Sequence, residues 1–481
     1  MPSAVIVGSG PNGLSAAVHL ARHGVAVQVL EAAGRIGGGT CSGELTVPGL
    51  VHDYCSAFHP MGAGSPYLST LDLAARGLQW RWPQIDCAHP LDDGAAGALH
   101  RSLEDTAEGL GRDRDRWMRM FASLRDGFDD LSADLLGPVL RVPDHPIRLA
   151  QFGPRALLPA TVSARWWRTD KARALFGGVA AHHYGRLDRP LSSAVGLMII
   201  AAGHRYGWPV AEGGSRAIAD ALAAMLRDHG GSIETGVRVR RASDIPPADV
   251  VLLDVEPAAA LDIYGDRLPW RIRQSFRRFR HGPAAFKVDL AVDGPIPWSS
   301  SDCARAGTVH LGGSFEEIAR AEQEVACGRM PERPFVLLGQ QYLADPTRSR
   351  DGINPVYAYA HVPPGFTGDA TEAVMAQIER FAPGFRGRVV RSVSTGTAGL
   401  AEHDANLVGG DIVGGATNRL QVVFRPRMST DPYSLGIPGV FLCSASTPPG
   451  AGAHGMCGYH AAQSALRHLG SAVRPDEGMH P

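Results

Sequence analysis

Residues 4–7, A-V-I-V, run directly into G-S-G-P-N-G at 8–13 and then into a segment with helical spacing, which narrows what the chain can fold into more than any other stretch. The apolar run suits a buried parallel strand, and Ala16, Ala17, Leu20 and Ala21 recur on one helical face over residues 15–22. Gly8, Gly10 and Gly13 fall at the turn. Gly8 permits the tight bend, Gly10 lets backbone approach a pyrophosphate, and Gly13 lets the helix pack closely on the strand. The phosphates then lie at the positive end of the helix, beside Pro11 and Asn12. Residues 25–30 read as a second strand ending in Glu31, whose carboxylate accepts hydrogen bonds from ribose hydroxyls and disfavours a 2′-phosphate. In a chain with 58 glycines such a turn alone is a weak signal. Strand before, helix after and acid at the right distance together make it a dinucleotide-binding βαβ unit.

A second glycine loop separates flavin from nicotinamide. Residues 31–40, E-A-A-G-R-I-G-G-G-T, offer Ala32, one guanidinium at Arg35, bare backbone at Gly37, Gly38 and Gly39, and then Thr40. A nicotinamide site has little use for such a loop. The E-x-x-x-R-x-G-G pattern resembles the signature of the FAD-dependent amine oxidase superfamily, in particular its phytoene dehydrogenase and desaturase-like oxidoreductases. The resemblance implies FAD as cofactor, with Arg35 and the glycines on the diphosphate and beside the isoalloxazine. It also implies an α/β fold: a discontinuous Rossmann-like FAD-binding domain, a mixed-sheet substrate domain and a helical insertion.

Composition bounds the alternatives. A length of 481 residues exceeds what one core supports, so two or three substructures are expected. Hydrophobic content of 44% and charged content of 20% are those of a globular protein. A net charge of -1 provides no long-range field toward nucleic acid or an anionic membrane, so no nucleic-acid partner is expected. Only Lys171 and Lys287 among the 47 basic residues are lysines, a bias attributed to genome composition. The first strand starts almost at residue 1, leaving no room for a signal peptide, and a cytoplasmic location is expected. The 7 cysteines form no C-x-x-C pair, which argues against a disulfide scaffold, a bound metal or the redox pair of a flavin disulfide reductase. The longest apolar stretch, residues 194–202, is too short to span a bilayer.

Three separated segments, 1–66, 207–262 and 409–472, are expected to build the FAD domain, with 101–205 a mainly helical insertion and 282–400 the mixed β-sheet substrate domain. Residues 49–66 mix polar and aromatic groups and return past the cofactor, making His52, Asp53, Ser56 and His59 candidates to line the site. Trp117, Met120, Phe121 and Leu124 form a helical stripe that reads as core. Trp166, Trp167 and Arg168 are a candidate interfacial patch for peripheral membrane contact. Residues 207–216, G-W-P-V-A-E-G-G-S-R, followed by a helix over 217–229 and a turn and strand over 230–239, resemble the family's proline and paired-glycine motif. That match implies that backbone near Val239 meets the adenine and that 249–254 form the next buried strand. Residues 285–292, 307–311, 335–341 and 356–362 alternate as strands with one face on a core and one on a cavity. Lys287, His310, Gln341, Tyr357, Tyr359 and His361 are candidates for the cavity face. A helix over 372–381 and a return strand from 391 complete the region.

The C-terminal segment is the second strong signal. G-G-D-I-V-G-G at 409–415, then Gln421, Arg425 and Pro426, then residues 439–462 are similar to the phytoene-desaturase-like C-terminal motif. A strand ends at Leu442, a glycine-rich loop comes next, and a helix starts near Gly455. Ala445, Thr447, Gly450, Gly455 and Met456 keep the pattern; Ser444, Pro448 and Ala451 depart from it, which implies a sub-branch. The resemblance places the N–H groups and dipole of that helix against the flavin pyrimidine, where they stabilise negative charge. The implied activity takes a hydride and a proton from an apolar or amphipathic small molecule, with flavin N5 as hydride acceptor. His59, His361 and His454 are candidate proton acceptors by residue type. Two other classes stay open: a flavin-dependent isomerase of carotenoid-isomerase type, and a non-enzymatic protein that retains FAD. With no second nucleotide fingerprint, oxygen or a quinone is the expected electron acceptor. Substrate identity and oligomeric state stay open.

Overall fold

Two sheets of different character organise the chain. The computed structural model describes residues 1–417 and 421–470. In the first sheet five short strands pair in parallel, in the order Val440–Leu442, Val250–Leu253, Ser3–Val7, Ala26–Glu31, Ser232–Thr235. All four residues of Val250–Leu253 are buried, as a strand covered on both faces requires. One face is covered by the helix Pro11–Arg22, which packs against Arg216–Asp228 and Met456–His468. The other carries a separate apolar core that includes Val5, Leu253, Ile263, Ile272 and Phe276. Helix Pro11–Arg22 forms where the sequence predicts: Pro11 presets its first turn, Leu14, Ala17, Val18 and Leu20 are buried, and Gly24 at φ +76° ends it, with the Val25 N–H on the Leu20 carbonyl. Contributions from 3–31, 232–253 and 440–442 make this Rossmann-like unit discontinuous. Residues 418–420, 471 and 472 of the C-terminal segment lie outside the described residues.

The second sheet is mixed and seven-stranded, in the order Val389–Thr395, Ala284–Asp293, Ile353–Val362, Val336–Gly339, Ala306–Leu311, Ile85–Pro90, Ala96–Leu99. Its one parallel pairing joins Ala306–Leu311 to Ile85–Pro90. Those last two strands come from residues that sequence patterning assigns to no domain. Alternation explains the layer beneath: Val288, Leu290, Val292, Val336, Leu338, Val356, Ala358 and Ala360 point to a core shared with Val374, Ile378 and Phe381 of helix Thr371–Phe381. Each such valine or leucine contributes about 1.5–3 kcal/mol by leaving water.

Seven α-helices between Leu103 and Tyr206 form the helical insertion. Trp117, Met120, Phe121 and Leu124 are buried on one side of helix Arg114–Asp126, as their spacing predicts. The strand after Gly230 is shorter than expected: Ser232–Thr235 ends where Gly236 turns at φ +78° and its N–H bonds the Ala33 carbonyl. Gln341 lies past the end of its strand, in a 3-10 turn, and so leaves the sheet face. Trp167 is 4% exposed and stacks among Trp117, Phe121 and Phe176, whereas Trp166 is 52% exposed, so the two cannot share one surface patch.

Candidate active site

The two glycine loops near the N-terminus build one cradle. Gly8 donates its N–H to the Leu30 carbonyl at 2.8 Å, and Gly37 donates to the Ser9 carbonyl at 3.1 Å, which brings the second loop against the first turn. A Cβ on Gly38 would stand 3.2 Å from the Cα of Gly10, and one on Gly13 would strike the Gly8 carbonyl. Thr40 fixes the loop by directing both its N–H and its hydroxyl to the Gly37 carbonyl at 2.8 Å. Glu31 accepts from the Ser9 N–H at 2.9 Å, the Ser9 hydroxyl at 2.6 Å and the Ala33 N–H at 2.7 Å, so it braces the turn as well as facing the ribose position. Arg35 lies 4.0 Å over the Tyr54 ring and 2.8 Å from His403 Nδ1, and Tyr54 and His403 stack on each other. Val239 is half-buried beside the core that holds Val5 and Leu30.

The C-terminal loop reaches the same place. Gly455, at φ +69°, precedes helix Met456–His468, and a Cβ there would collide with the Ser15 hydroxyl. A Cβ on Gly458 would collide with the Asn12 carbonyl, so the two helices meet only because that residue is glycine. Gly458 is not among the residues the motifs single out, although its place one turn into the helix is signal enough for a close helix crossing. Thr447 caps the loop through its N–H at 2.9 Å and hydroxyl at 2.8 Å on the Ser444 carbonyl. Ala445 accepts from Arg425 Nη1 at 3.2 Å. The Met456 N–H, expected to face a ligand, instead meets His454 Nδ1 at 3.1 Å.

A dinucleotide fits this cradle. Gly10, the N-cap of its helix, offers no side-chain cap, Pro11 has no N–H and Asp254 takes the Gly13 N–H, which leaves the Asn12 N–H and the positive end of the helix dipole for a phosphate. Arg425 Nε and Ser444 Oγ are buried without a partner among the described residues, donors of the kind a bound polar cofactor satisfies.

The mixed sheet turns its polar face toward this cradle. Two cross-strand rows follow from the register: Lys287, Tyr359, Leu337 and His310 in one, and Asp289, Tyr357, Gly339, Thr308 and Cys87 in the other. Lys287 is paired with Asp289 and lies 5.6 Å from the Tyr357 ring centre. His52 approaches Asp289 at 3.5 Å, and Ala57 and Phe58 pack on Tyr357 and Tyr359, so the rows start where residues 52–58 pass the cradle. Tyr357, Tyr359 and His361 stack in sequence along one strand, and Tyr184 lies 3.9 Å from His361. Cys55, His182 and Tyr359 are enclosed by protein and still keep accessible surface, which marks internal space along this face.

On this face Lys287 and Asp289 offset each other's charge. Burial pushes His89 down to about 4 and His182 to about 3, and burial with the neighbouring imidazoles drives His310 well below the usual range, so all three are neutral at pH 7. His182 and His310 share a 3.1 Å contact, and Cys87 Sγ meets His310 Nδ1 at 3.3 Å. Glu322 holds His361 Nδ1 at 2.7 Å, with both side chains buried. Glu322, buried on helix Phe315–Ala326, is a residue that sequence reasoning misses.

The remaining candidates are fasteners in this geometry. His59 bonds Ser215 Oγ at 2.8 Å and Ser56 Oγ at 3.4 Å, and burial pushes it down to about 4. His454 is likewise pushed to about 4 by burial. His52 Nε2 meets Thr46 Oγ1 at 2.8 Å. Asp53 accepts from Ser42 Oγ, the Ser215 N–H and the fully buried Arg348, which also bonds Asp345 and the Ala211 carbonyl. Arg348 thereby ties the mixed-sheet region to the loop at 209–215. His59, His361 and His454 do not converge through any described contact with one another.

A discontinuous parallel unit with two glycine loops, a C-terminal glycine loop closing on its first helix and a mixed sheet presenting a polar face define a Rossmann-like dinucleotide-binding scaffold joined to a second, mixed-sheet region. Comparison with known proteins agrees. Residues 6–71 match the family described as NAD(P)-binding Rossmann-like domain. The chain is 25% identical to pyridine nucleotide-disulfide oxidoreductase domain-containing protein 2 of Rattus norvegicus, over 97% of this chain and 93% of that protein. It is 26% identical to hydroxyneurosporene desaturase of Cereibacter sphaeroides, over 98% and 99% of the two chains. A putrescine oxidase variant has the same fold, with TM-score 0.62 and 17% identity over 98% of this chain and 99% of that one. Among the described residues no helix is long and apolar enough to cross a membrane.

Proposed function

We propose that this protein is an FAD-dependent dehydrogenase of desaturase type that removes a hydride and a proton from an uncharged, amphipathic small molecule. The observation that carries this reading is the registered polar face, where the stacked rings of Tyr357 and Tyr359 lie beside a lysine paired with Asp289 and the row continues to His310, which burial keeps neutral. Bound FAD would supply the hydride acceptor at N5, held by Gly8, Gly10, Pro11, Asn12, Gly13, Glu31, Ala32, Arg35, Gly37, Gly38, Gly39, Thr40, Val239, Ala445, Thr447, Gly455 and Met456. The residues of the face do the rest. Tyr357 and Tyr359 orient a hydroxyl or carbonyl of the substrate, and their stacked rings favour a flat skeleton. His361 accepts the proton, its tautomer fixed by Glu322 through Nδ1. Lys287, paired with Asp289, closes the face where residues 52–58 meet the sheet. His59 and His454 serve as positioning residues through their contacts with Ser215 and the Met456 N–H.

The test is anaerobic mixing of FAD-loaded protein with pools of neutral alcohols, ketones and alkenes. Bleaching of the yellow flavin with formation of an oxidised product is the expected outcome, followed by consumption of oxygen or quinone on turnover. Bleaching by dithionite alone, with no product from any pool, would point to an FAD-retaining binding protein. An isomerised product without net oxidation would favour the isomerase, and a strict need for NADPH would overturn the proposed acceptor.

A further inference from the structure

An acid backs the glycine turn at the position where a diphosphate has least use for one. Asp254 follows strand Val250–Leu253 and is enclosed beneath the turn. Its Oδ2 accepts the Gly13 N–H at 2.9 Å, and a Cβ on Gly10 would stand 2.7 Å from that oxygen. Its carbonyl lies 2.8 Å from where a Cβ on Gly8 would sit and accepts from Asn406 Nδ2 at 3.0 Å. Asp404, anchored by the Asn406 N–H at 2.9 Å, reaches Gly38 on the opposite flank.

The titratable groups that face Asp254 are Glu31 from the second strand, Asp404 beyond helix Thr397–His403, and the thiols of Cys443 and Cys457 from the C-terminal strand end and helix. None is a cation. Arg35, the guanidinium of the second loop, is engaged by Tyr54 and His403. A doubly negative diphosphate on this turn therefore meets carboxyls on both flanks. A protonated carboxyl removes the repulsion, keeps an acceptor for the Gly13 N–H and gains a donor that the ionised form lacks.

We propose that Asp254 makes cofactor loading a proton-taking step: the carboxyl is neutral when the diphosphate is seated, so FAD is held more tightly below neutrality and more loosely above it. Burial, with the Gly13 and Gly10 N–H groups opposing and Asp404 and Glu31 adding, pushes the Asp254 carboxyl up to about 7 before any ligand arrives, which sets the exchange near neutral pH. The inference rests on the dinucleotide seat alone and is independent of the substrate.

The experiment is titration of apo-protein with FAD, followed by flavin fluorescence between about pH 6 and pH 8.5, with calorimetry in phosphate and Tris to count protons. The Kd of the parent protein is expected to rise about tenfold across that window, with proton uptake on binding. Asp254→Asn, close in shape and able to accept from Gly13, should bind FAD with a flat pH profile and no uptake attributable to this site. Equal affinity across the window without proton uptake in the parent protein overturns the proposal while leaving the seat intact. A slope that survives in Asp254→Asn and vanishes in Asp404→Asn overturns it in favour of Asp404. Failure of the parent protein to bind FAD at any pH removes the seat and the proposal together. Should Asp254→Asn not fold, the parent's two-buffer calorimetry decides alone.

Discussion

The two sheets meet the same cofactor region by opposite means. In the parallel sheet, function lies in atoms that are missing: Gly8, Gly10, Gly13, Gly38, Gly455 and Gly458 each stand where a Cβ would meet backbone or a buried side chain closely. In the mixed sheet it lies in side chains that are present, on one face, with the other face given over to valine and leucine. A backbone device tolerates almost no substitution and leaves a fixed motif. A side-chain face can change residue by residue without loss of fold, and one scaffold can in this way serve different substrates.

The strongest break of that contrast is Gly13→Ala. The new methyl would strike the Gly8 carbonyl and lie 3.0 Å from Asp254 Oδ2, and neither the turn nor the enclosed acid has room to retreat. The expected outcome is protein that purifies colourless, with FAD affinity reduced by at least about 100-fold in a fluorescence titration, since overpacking at such a site costs about 3 kcal/mol or more. Gly34→Ala is the contrasting control, because a Cβ there meets nothing within 4 Å, and it should cost far less. Wild-type affinity in Gly13→Ala would sink the backbone argument.

On the side-chain sheet the matching substitution is His361→Gln. Loss of a positioned proton acceptor typically slows its step by about 10²-fold or more. FAD affinity should stay within about threefold of the parent, because His361 lies on the mixed sheet away from both glycine loops. Rapid mixing with a productive substrate would read the rate, and a flavin reduction rate equal to the parent's would remove His361 from the chemistry. Glu322→Gln should shift the pH profile of the same rate, which a merely structural glutamate would leave in place.

This division explains what could be read in advance. Both glycine arms, the acid at Glu31 and the helix starts at Pro11 and Met456 were legible because each answers a local backbone demand. The alternation at 285–292 and 356–362 predicted a sheet with two unlike faces, and Lys287, His310, Tyr357, Tyr359 and His361 do share one face. Alternation carries no information about partners across the fold. Nothing near His59 indicates that its ring is fastened to Ser215, 156 residues on, nor does helix Phe315–Ala326 reveal that Glu322 turns inward to His361. Alternation puts Lys287 on the site face, but its pairing with Asp289, two residues on along the same strand, has no signature in the sequence. The two strands at 85–99 escaped notice because an edge contribution from a distant segment has no local signature.

The smallest predicted effect concerns the crossing between the two regions. His281 lies between helix Trp270–Arg278 and strand Ala284–Asp293, with Nδ1 3.2 Å from Asp411 and Nε2 3.4 Å from Glu256. Burial opposes its protonation, but the hydrogen bonds and charges of Asp411 and Glu256 prevail and raise the imidazole from 6.5 to about 9. A histidine whose folded value is raised contributes stability that is complete below its unfolded value and is lost as pH climbs through the folded one. The loss should therefore fall between about pH 7 and pH 9.5 and amount to about 1–2 kcal/mol after solvent screening. Urea unfolding of the parent and His281→Gln at the two ends of that window isolates it, since other groups cancel in the difference. A steeper decline in the parent would show that the two sheets are coupled through this ion pair as well as through Arg348; identical slopes would leave Arg348 to hold the regions together, because His281 would then carry no linked proton.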